Sequence, residues 1–270
     1  MATYQIFTNN DSRGTLQMAQ PSGHLREVVE YFWESTFTPD GNETIHSHAL
    51  PNCFGLLSFN LNQLSWQSVE LPKHEPFTFS QSKLFGPLPY SCLCTYPKAL
   101  KQAGVKLKPG ALSLFTHLPA HELHGLKEDL HYFFDTKLLE EQLIAASSFE
   151  ARASLMESFL SSHYHSSTPD YRYYLVQEAF SRFDIFMPYG NAIQQLADDL
   201  CLTPKSLTRY FQQWVGATPK WCLKAHRFAK AYYAYHESSQ GLAYEVYGYH
   251  DHSHFYKDAL QLTGHSVGYF

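Results

Sequence analysis

Apolar positions change their spacing partway along the chain. Up to about Asp129 they come in short runs: Gly55–Leu61, Leu64–Leu71, Phe77–Phe79, Ser91–Tyr96 and Gly104–Lys108. Proline and glycine cluster between the runs, at Pro39–Gly41, Pro72, Gly86–Pro89 and Pro109–Gly110. That arrangement predicts short strands in a barrel or sandwich. Near His24–Trp33 the spacing of Leu25, Val28, Val29 and Phe32 predicts a helix instead. From about Thr136 helical spacing takes over: Leu138, Leu139, Leu143 and Ile144; then Leu155, Phe159 and Leu160; then Tyr174, Leu175, Glu178, Ala179 and Arg182. The polar stretch His163–Pro169 reads as a loop. The pattern predicts an α+β chain with a β-rich domain over residues 1–130, a helical connector over 131–185 and an all-α domain over 186–270.

The strongest local signal lies at Asn191–Tyr210. Ile193, Leu196, Ala197 and Leu200 fall at i, i+3, i+4 and i+7, one face of a short helix. Leu202 and Thr203 form a turn, with Thr203 placed to cap a second helix that has Pro204 at its first position. Leu207, Tyr210, Phe211 and Trp214 give that helix a buried face, Gly216 ends it, and Pro219 opens another. Two short helices joined this way form the helix-turn-helix layout, whose second helix enters the DNA major groove. The outward face carries Lys205, Ser206, Thr208, Arg209 and Gln212, side chains suited to base edges and phosphates. The bland alternative is a helical hairpin with a solvated basic face.

Charge sharpens the picture. The chain carries a formal net charge of -5, so it is no general polyanion binder and any nucleic-acid surface is local. Between Cys201 and His236 the charged residues are Lys205, Arg209, Lys220, Lys224, Arg227 and Lys230, with no Asp or Glu, which predicts a segregated basic surface. A hydrophobic content of 44% argues for packed structure over disorder. No apolar run approaches the roughly 20 residues of a membrane span, and the N-terminus shows no secretory signal. The five cysteines make no framework. Cys92 and Cys94 alternate as strand neighbours, and Cys201 and Cys222 fall in helical patterns. A cytoplasmic protein with reduced, packing cysteines and no membrane partner is expected.

The stretch IQQLADDLCLTPKSLTRYFQQWVGATPKWCLKAHRFAKA resembles the DNA-binding domain of the AraC/XylS family of bacterial transcription regulators. That domain joins two helix-turn-helix units by a long helix, here matched by Pro219–Ala231 with Leu223, Arg227 and Phe228. GYHDHSHFYKDALQLTGHSVGYF resembles the family's closing signature, with Gly248, Tyr249, Asp251, Ser253, His254, Phe255, Lys257, Thr263, Gly264, Ser266 and Tyr269 in place. The resemblance implies a regulator, of the activator type, that binds double-stranded DNA at a promoter through two successive major-groove turns. RNA polymerase and a second copy of the chain are further candidate partners. The reading positions fall on Lys205, Thr208, Arg209 and Gln212 in the first unit and on Ser253, Tyr256 and Lys257 in the second, with Asp251 as a cap.

The second unit departs from the pattern. GLAYEVYGY carries an extra residue near Tyr247, His236–Gly241 is a short join, Ala259 replaces a large apolar residue and Val267 a proline. Since one residue of phase error rotates a helix by about 100°, this reading head is expected to tilt, or to serve phosphate contact and packing. His254 belongs to the signature, so His250, His252 and His254 are not read as metal ligands.

HLREVVEYFWES, LPNCFGLLSFNL and GVKLKPGALSLFTHLPAHEL resemble the cupin-like sensor domain of one subgroup of these regulators, which implies a small-molecule effector site or a dimer contact. Trp33, Phe54, Phe59 and Trp66 are the candidate effector contacts, with Phe85 and Phe115 as further aromatic liners. His46 and His48 form an H-x-H pair, with His117 a possible third ligand, but Asn52 stands where a metal-binding cupin carries Glu. No metal or other cofactor is expected, and no enzyme chemistry: no nucleophile–base set, phosphate-cradling glycine loop or zinc-spaced cysteines occur. The competing readings are a metal-dependent cupin enzyme with a helical tail, and an interaction protein with a degenerate second DNA-reading unit.

Overall fold

The computed structural model describes residues 14–37, 44–71, 73–116, 118–164, 169–237 and 242–266. The strands are β1 (Gly14–Ala19), β2 (Val29–Phe37), β3 (Ile45–Ala49), β4 (Gly55–Asn60), β5 (Trp66–Glu70), β6 (Glu75–Phe79), β7 (Lys83–Phe85), β8 (Cys92–Tyr96), β9 (Lys101–Leu107) and β10 (Lys127–Asp129). The helices are α1 (Ser113–Thr116), α2 (Ala120–Leu123), α3 (Lys137–Ala145), α4 (Phe149–His163), α5 (Tyr171–Ser181), α6 (Phe183–Phe186), α7 (Ala192–Asp199), α8 (Pro204–Trp214), α9 (Pro219–Glu237) and α10 (His252–Thr263). The chain is thus an N-terminal antiparallel β domain followed by a helical C-terminal domain. Among the described residues no helix is long and apolar enough to cross a membrane.

The helix expected near His24 is replaced by a short 3-10 turn at Gly23–Glu27 and then by β2. Val29, Tyr31, Phe32 and Trp33 are all about 1% exposed. A strand buried on both faces shows no alternation, so its apolar run imitated a helical stripe. β-branched and aromatic side chains then favour the extended form.

Strands pair antiparallel in two sheets, one of order β1-β2-β9-β4-β7-β10 and one of order β3-β8-β5-β6. At the centre of the first, Gly104 pairs with Trp33 on one side and Ser58 on the other. A Cβ at Gly104 would lie 2.1 Å from the Leu57 carbonyl oxygen and 2.7 Å from the Trp33 ring, so only glycine lets the indole lie against the sheet. Trp66, Phe79, Cys92, Cys94 and Tyr96 of the second sheet pack together, and the Trp66 and Phe85 rings, 6.1 Å apart, link the sheets.

Helices α3 and α4 pack on the larger sheet through Leu139, Leu143, Met156 and Leu160, while Leu138 and Ile144 face solvent. Ser148 caps α4, its hydroxyl accepting from the Ala151 N–H. A second core joins α5 and α6 to α7–α9, and a third joins α9 to α10. Two residues of the β3–β4 connection enter these helical cores: Cys53 the former, Leu50 the latter.

Candidate nucleic-acid interface and inter-domain cavity

The first helix-turn-helix unit is built from α7 and α8. The Leu202 N–H bonds the Ala197 carbonyl at 2.8 Å and the Cys201 N–H bonds the Asp198 carbonyl at 3.0 Å, the paired bonds of a Schellman motif. Cys201 sits at φ 54°, the left-handed residue of that motif. It is therefore a turn residue rather than part of the helical pattern in which the sequence placed it. Thr203 caps α8, its hydroxyl accepting from the Ser206 N–H at 3.1 Å, and Pro204 follows. Leu207, Tyr210 and Phe211 face the core.

Opposite them Lys205, Arg209 and Gln212 are exposed at i, i+4 and i+7, with Ser206 and Thr208 half-buried beside them. Thr208 donates to the Pro204 carbonyl at 2.8 Å, so its hydroxyl is partly committed. The Arg209 guanidinium lies 5.3 Å from the centroid of the Tyr210 ring.

The basic window is smaller than its sequence suggests. Lys224 and Arg227 both bind Asp258, at 3.0 and 2.8 Å. His226 and Lys230 both bind Asp184, each at 2.6 Å, and hold its carboxyl well below the usual carboxylate range. The carboxylates come from outside the window, from α6 and α10, which is why a local count missed them. Of the six cations, Lys205, Arg209 and Lys220 remain exposed.

In the second unit the helix before the turn is one 3-10 turn, Tyr244–Tyr247, which accounts for the phase error seen in the sequence. Gly248 follows at φ 72°, where a Cβ would lie 2.0 Å from the Met187 carbonyl oxygen. Asp251 caps α10, accepting from the His254 N–H at 2.8 Å. Ser253, Tyr256 and Lys257 share the exposed face of α10. Ala259 is 1% exposed, in the core that holds Phe228 and Phe255. Tyr249 and Tyr244 press against Phe255 in the same core, with centroids 5.2 and 5.8 Å away. Val267 and Tyr269 lie outside the described residues, as does most of His236–Gly241.

A cavity of about 200 Å3 lies between the two sheets and α9. The β domain contributes Phe54, Trp66, Phe79, Phe85, Lys106 and Lys127, and α9 contributes Cys222, Ala225, His226, Ala229 and Tyr233. Of the aromatics proposed from sequence, Phe54, Trp66 and Phe85 line this cavity. Trp33 and Phe59 are buried elsewhere at 1% exposure, Phe59 with Phe115 in the core beneath α4. The sequence reading overlooked Lys106 and Lys127. Lys106 is 2% exposed, pairs with Glu30 at 3.2 Å and lies 4.3 Å from the Phe54 ring centroid; burial pulls its pKa below the ordinary lysine value. Lys127 pairs with Glu70 at 2.6 Å and lies 4.2 Å from the Phe77 centroid. Their signal was a lysine within an apolar run, visible for Lys106 in GVKL.

The histidine pair divides. His46 hydrogen-bonds the Thr95 hydroxyl at 3.1 Å, whereas His48 hydrogen-bonds the Tyr232 hydroxyl of α9 at 3.0 Å. His117 lies outside the described residues. Together with the Ser91 N–H to Leu262 carbonyl bond of 3.0 Å, the His48 contact joins the β domain to the helical domain. Burial, reinforced by His236 and His265, lowers the His48 pKa from 6.5 to about 4. A histidine whose pKa is depressed in the folded form stabilises it above the unfolded value and loses that contribution on acidification. Stability should therefore fall as pH drops from 6.5 towards 4. Urea midpoints across that range, compared with His48→Gln, check this; an unchanged slope in the variant would assign the loss to other groups.

Residues 196–270 match the family model described as a helix-turn-helix domain, and residues 17–129 match that described as a domain of unknown function (DUF6597). No curated protein matches the chain. Among solved structures, the unsaturated fatty acid-bound ToxT from Vibrio cholerae strain SCE256 is 8% identical, covers 85% of this chain and 95% of its own, and gives a TM-score of 0.44. The AraC-like transcriptional activator CuxR is 8% identical over 81% of this chain and 87% of its own, at a TM-score of 0.31. Scores this low transfer neither a pocket nor a ligand.

Proposed function

We propose that this chain, an AraC-like transcription regulator by its C-terminal helix-turn-helix domain, reads promoter DNA mainly with α8 and responds to a small effector held against α9. The observation that carries the reading is the exposed row Lys205, Arg209 and Gln212 on a helix capped at its start and buried on its other face. No carboxylate of the described residues pairs with Lys205 or Arg209, so both cations are available to phosphates and base edges. In this reading Arg209 takes guanine O6 and N7 together, and Lys205, Ser206, Thr208 and Gln212 complete the contact. Ser253, Tyr256 and Lys257 of α10 meet a second turn of the groove. RNA polymerase is the partner at the promoter, reached directly or through a second copy of the chain, and the protein works in the cytoplasm.

Selection of bound fragments from a random duplex library tests the function. A clear sequence preference supports it, and binding equal to that of random DNA at moderate salt overturns it. Arg209→Ala should cost about 1–3 kcal/mol of specific affinity and relax one base position. Lys257→Ala should weaken all sequences alike and reduce the salt slope by about one, provided the second head engages.

The effector reading rests on the cavity. Its wall is mostly apolar and includes the Lys106–Glu30 ion pair and Lys127, whose ammonium is paired with Glu70. A small, mostly apolar molecule suits that lining. Because α9 is one wall and also carries both reading units, filling the cavity would change how the units are held. Nothing supports the metal-dependent enzyme alternative.

A further inference from the structure

Residues 50–54 join β3 to β4 in the β domain, yet two of them are buried in the helical domain. Leu50 sits in the core that α9 forms with α10, among Phe228, Tyr249, Phe255 and Leu262. Cys53 sits in the core that α5 and α6 form with α7–α9, among Phe183, Leu207, Phe211 and Cys222. Among the described residues these two are the β-domain side chains that enter those cores. Three residues span at most roughly 11 Å, so one short connection reaches the packing of both reading units. Asn52 holds the span between them. Its side-chain amide donates to the Leu50 carbonyl at 3.0 Å, its Oδ1 accepts from the Phe54 N–H at 3.3 Å, and its own N–H donates to the Leu88 carbonyl at 3.0 Å. All of residues 50–54 also line the cavity, so an occupant meets the same connection.

We infer that the connection of residues 50–54 is a positioning element for DNA reading: Leu50 seats the second unit, Cys53 seats the first, and Asn52 fixes the span between the two seats. This role rests on DNA reading by α8 and α10. Two units that meet successive major-groove turns must hold their reading helices about 34 Å apart. Helix α9 joins the units along the chain, but side-chain packing sets the angle of each unit on it. A support that is anchored in the sheets and enters both cores restricts both angles at once. Other ties reach one unit each: Gly216 lies against the Ala120 carbonyl at the first, and the Ser91 N–H bonds the Leu262 carbonyl at the second. Asparagine suits the middle of the span because its amide offers a donor to one backbone group and an acceptor to another. Aspartate at that place would set a carboxylate against the Leu50 carbonyl.

Amide hydrogen exchange of the full-length chain, followed by mass spectrometry without DNA, tests the seats. Leu50→Ala should speed exchange in α10 at least about threefold and leave α8 as it was, and Cys53→Ala should do the reverse. Asn52→Asp should speed both. Exchange raised alike in every helix, or changed in residues 50–54 alone, would overturn the seats. The positioning role is read on DNA selected by the protein from a random duplex library, compared with the same duplex scrambled over its second major-groove turn. The wild-type chain should bind the intact duplex more tightly, and Asn52→Asp should lose most of that advantage while binding the scrambled duplex as the wild type does. An advantage that is absent from the wild type, or undiminished in Asn52→Asp, overturns the positioning role and leaves reading by α8 intact. Failure of the wild type to prefer any sequence overturns DNA reading itself, a result the exchange pattern does not depend on.

Discussion

Asp258→Ala should destabilise the protein by about 3 kcal/mol, the lower end of the cost of breaking a buried ion pair, and should remove the second reading unit from DNA binding. The carboxylate is 7% exposed and accepts from Arg227 at 2.8 Å while pairing with Lys224 at 3.0 Å. Its loss leaves two cations of α9 facing a small apolar void. Arg227 has other contacts, to the Gly248 carbonyl at 3.4 Å and over the Tyr249 ring at 4.5 Å, so the guanidinium stays in place without its counter-charge. Since α10 is held to α9 by this network, by the Lys224–Gln261 hydrogen bond and by Phe255 against Phe228 and Tyr235, losing the network should make its angle to α8 more variable. Denaturant titration measures the first effect. The second appears as a salt slope falling towards that of a single unit. An Asp258→Asn variant, which keeps one acceptor, should recover part of both; full recovery would show that charge is unimportant there.

Arg152→Leu should cost about 3–5 kcal/mol, because Arg152 adds a buried polar tie from α4 to both α3 and the sheet to their apolar packing. Its Nε donates to the Leu143 carbonyl at 2.9 Å, one terminal nitrogen donates to Glu34 at 3.0 Å, and the other donates to the Ala146 carbonyl. The two carbonyls belong to the C-terminal end of α3, where backbone acceptors lack helical partners. Leucine fills much of the volume but satisfies neither carbonyl and leaves Glu34 with Lys101 alone, at 3.0 Å. Urea unfolding should show the loss, and Arg152→Leu combined with Glu34→Leu should be more stable than the single variant. Equal stability of single and double variants would mean that the carbonyls, not the charge, set the cost.

What could be read from sequence follows the range of the interactions concerned. The cap at Thr203, Pro204 at the start of α8 and the stripe Leu207, Tyr210 and Phe211 are fixed within one helix, and all were legible. So were β4, β5, β6, β8 and β9, whose runs are bounded by turn residues. The strands β7 and β10 were not, because three residues are too few to show an alternation. β2 was misread because burial on both faces erased its alternation. The free charge of the basic window was overestimated because Asp184 and Asp258, which neutralise half of it, lie outside it. The cavity was half legible: aromatic liners from the β domain could be proposed, whereas the wall from α9 arises only from docking of the helical domain. The phase error near Tyr247 was visible as an extra residue, but its resolution into a 3-10 turn required Gly248 beneath the Met187 carbonyl.

Helix α9 is a wall of the cavity and the shared support of both reading units. Free energies around a closed cycle sum to zero, so any factor by which an occupant of the cavity changes promoter affinity must reappear, undiminished, as the factor by which the promoter changes affinity for that occupant. Under the proposed coupling, operator DNA is itself a modulator of the cavity: a molecule too weakly held to be detected by the isolated protein would be bound measurably at the promoter, or a tight one expelled there. The same amount of small molecule in the cell would accordingly be sensed differently by protein on its operator and protein in free solution.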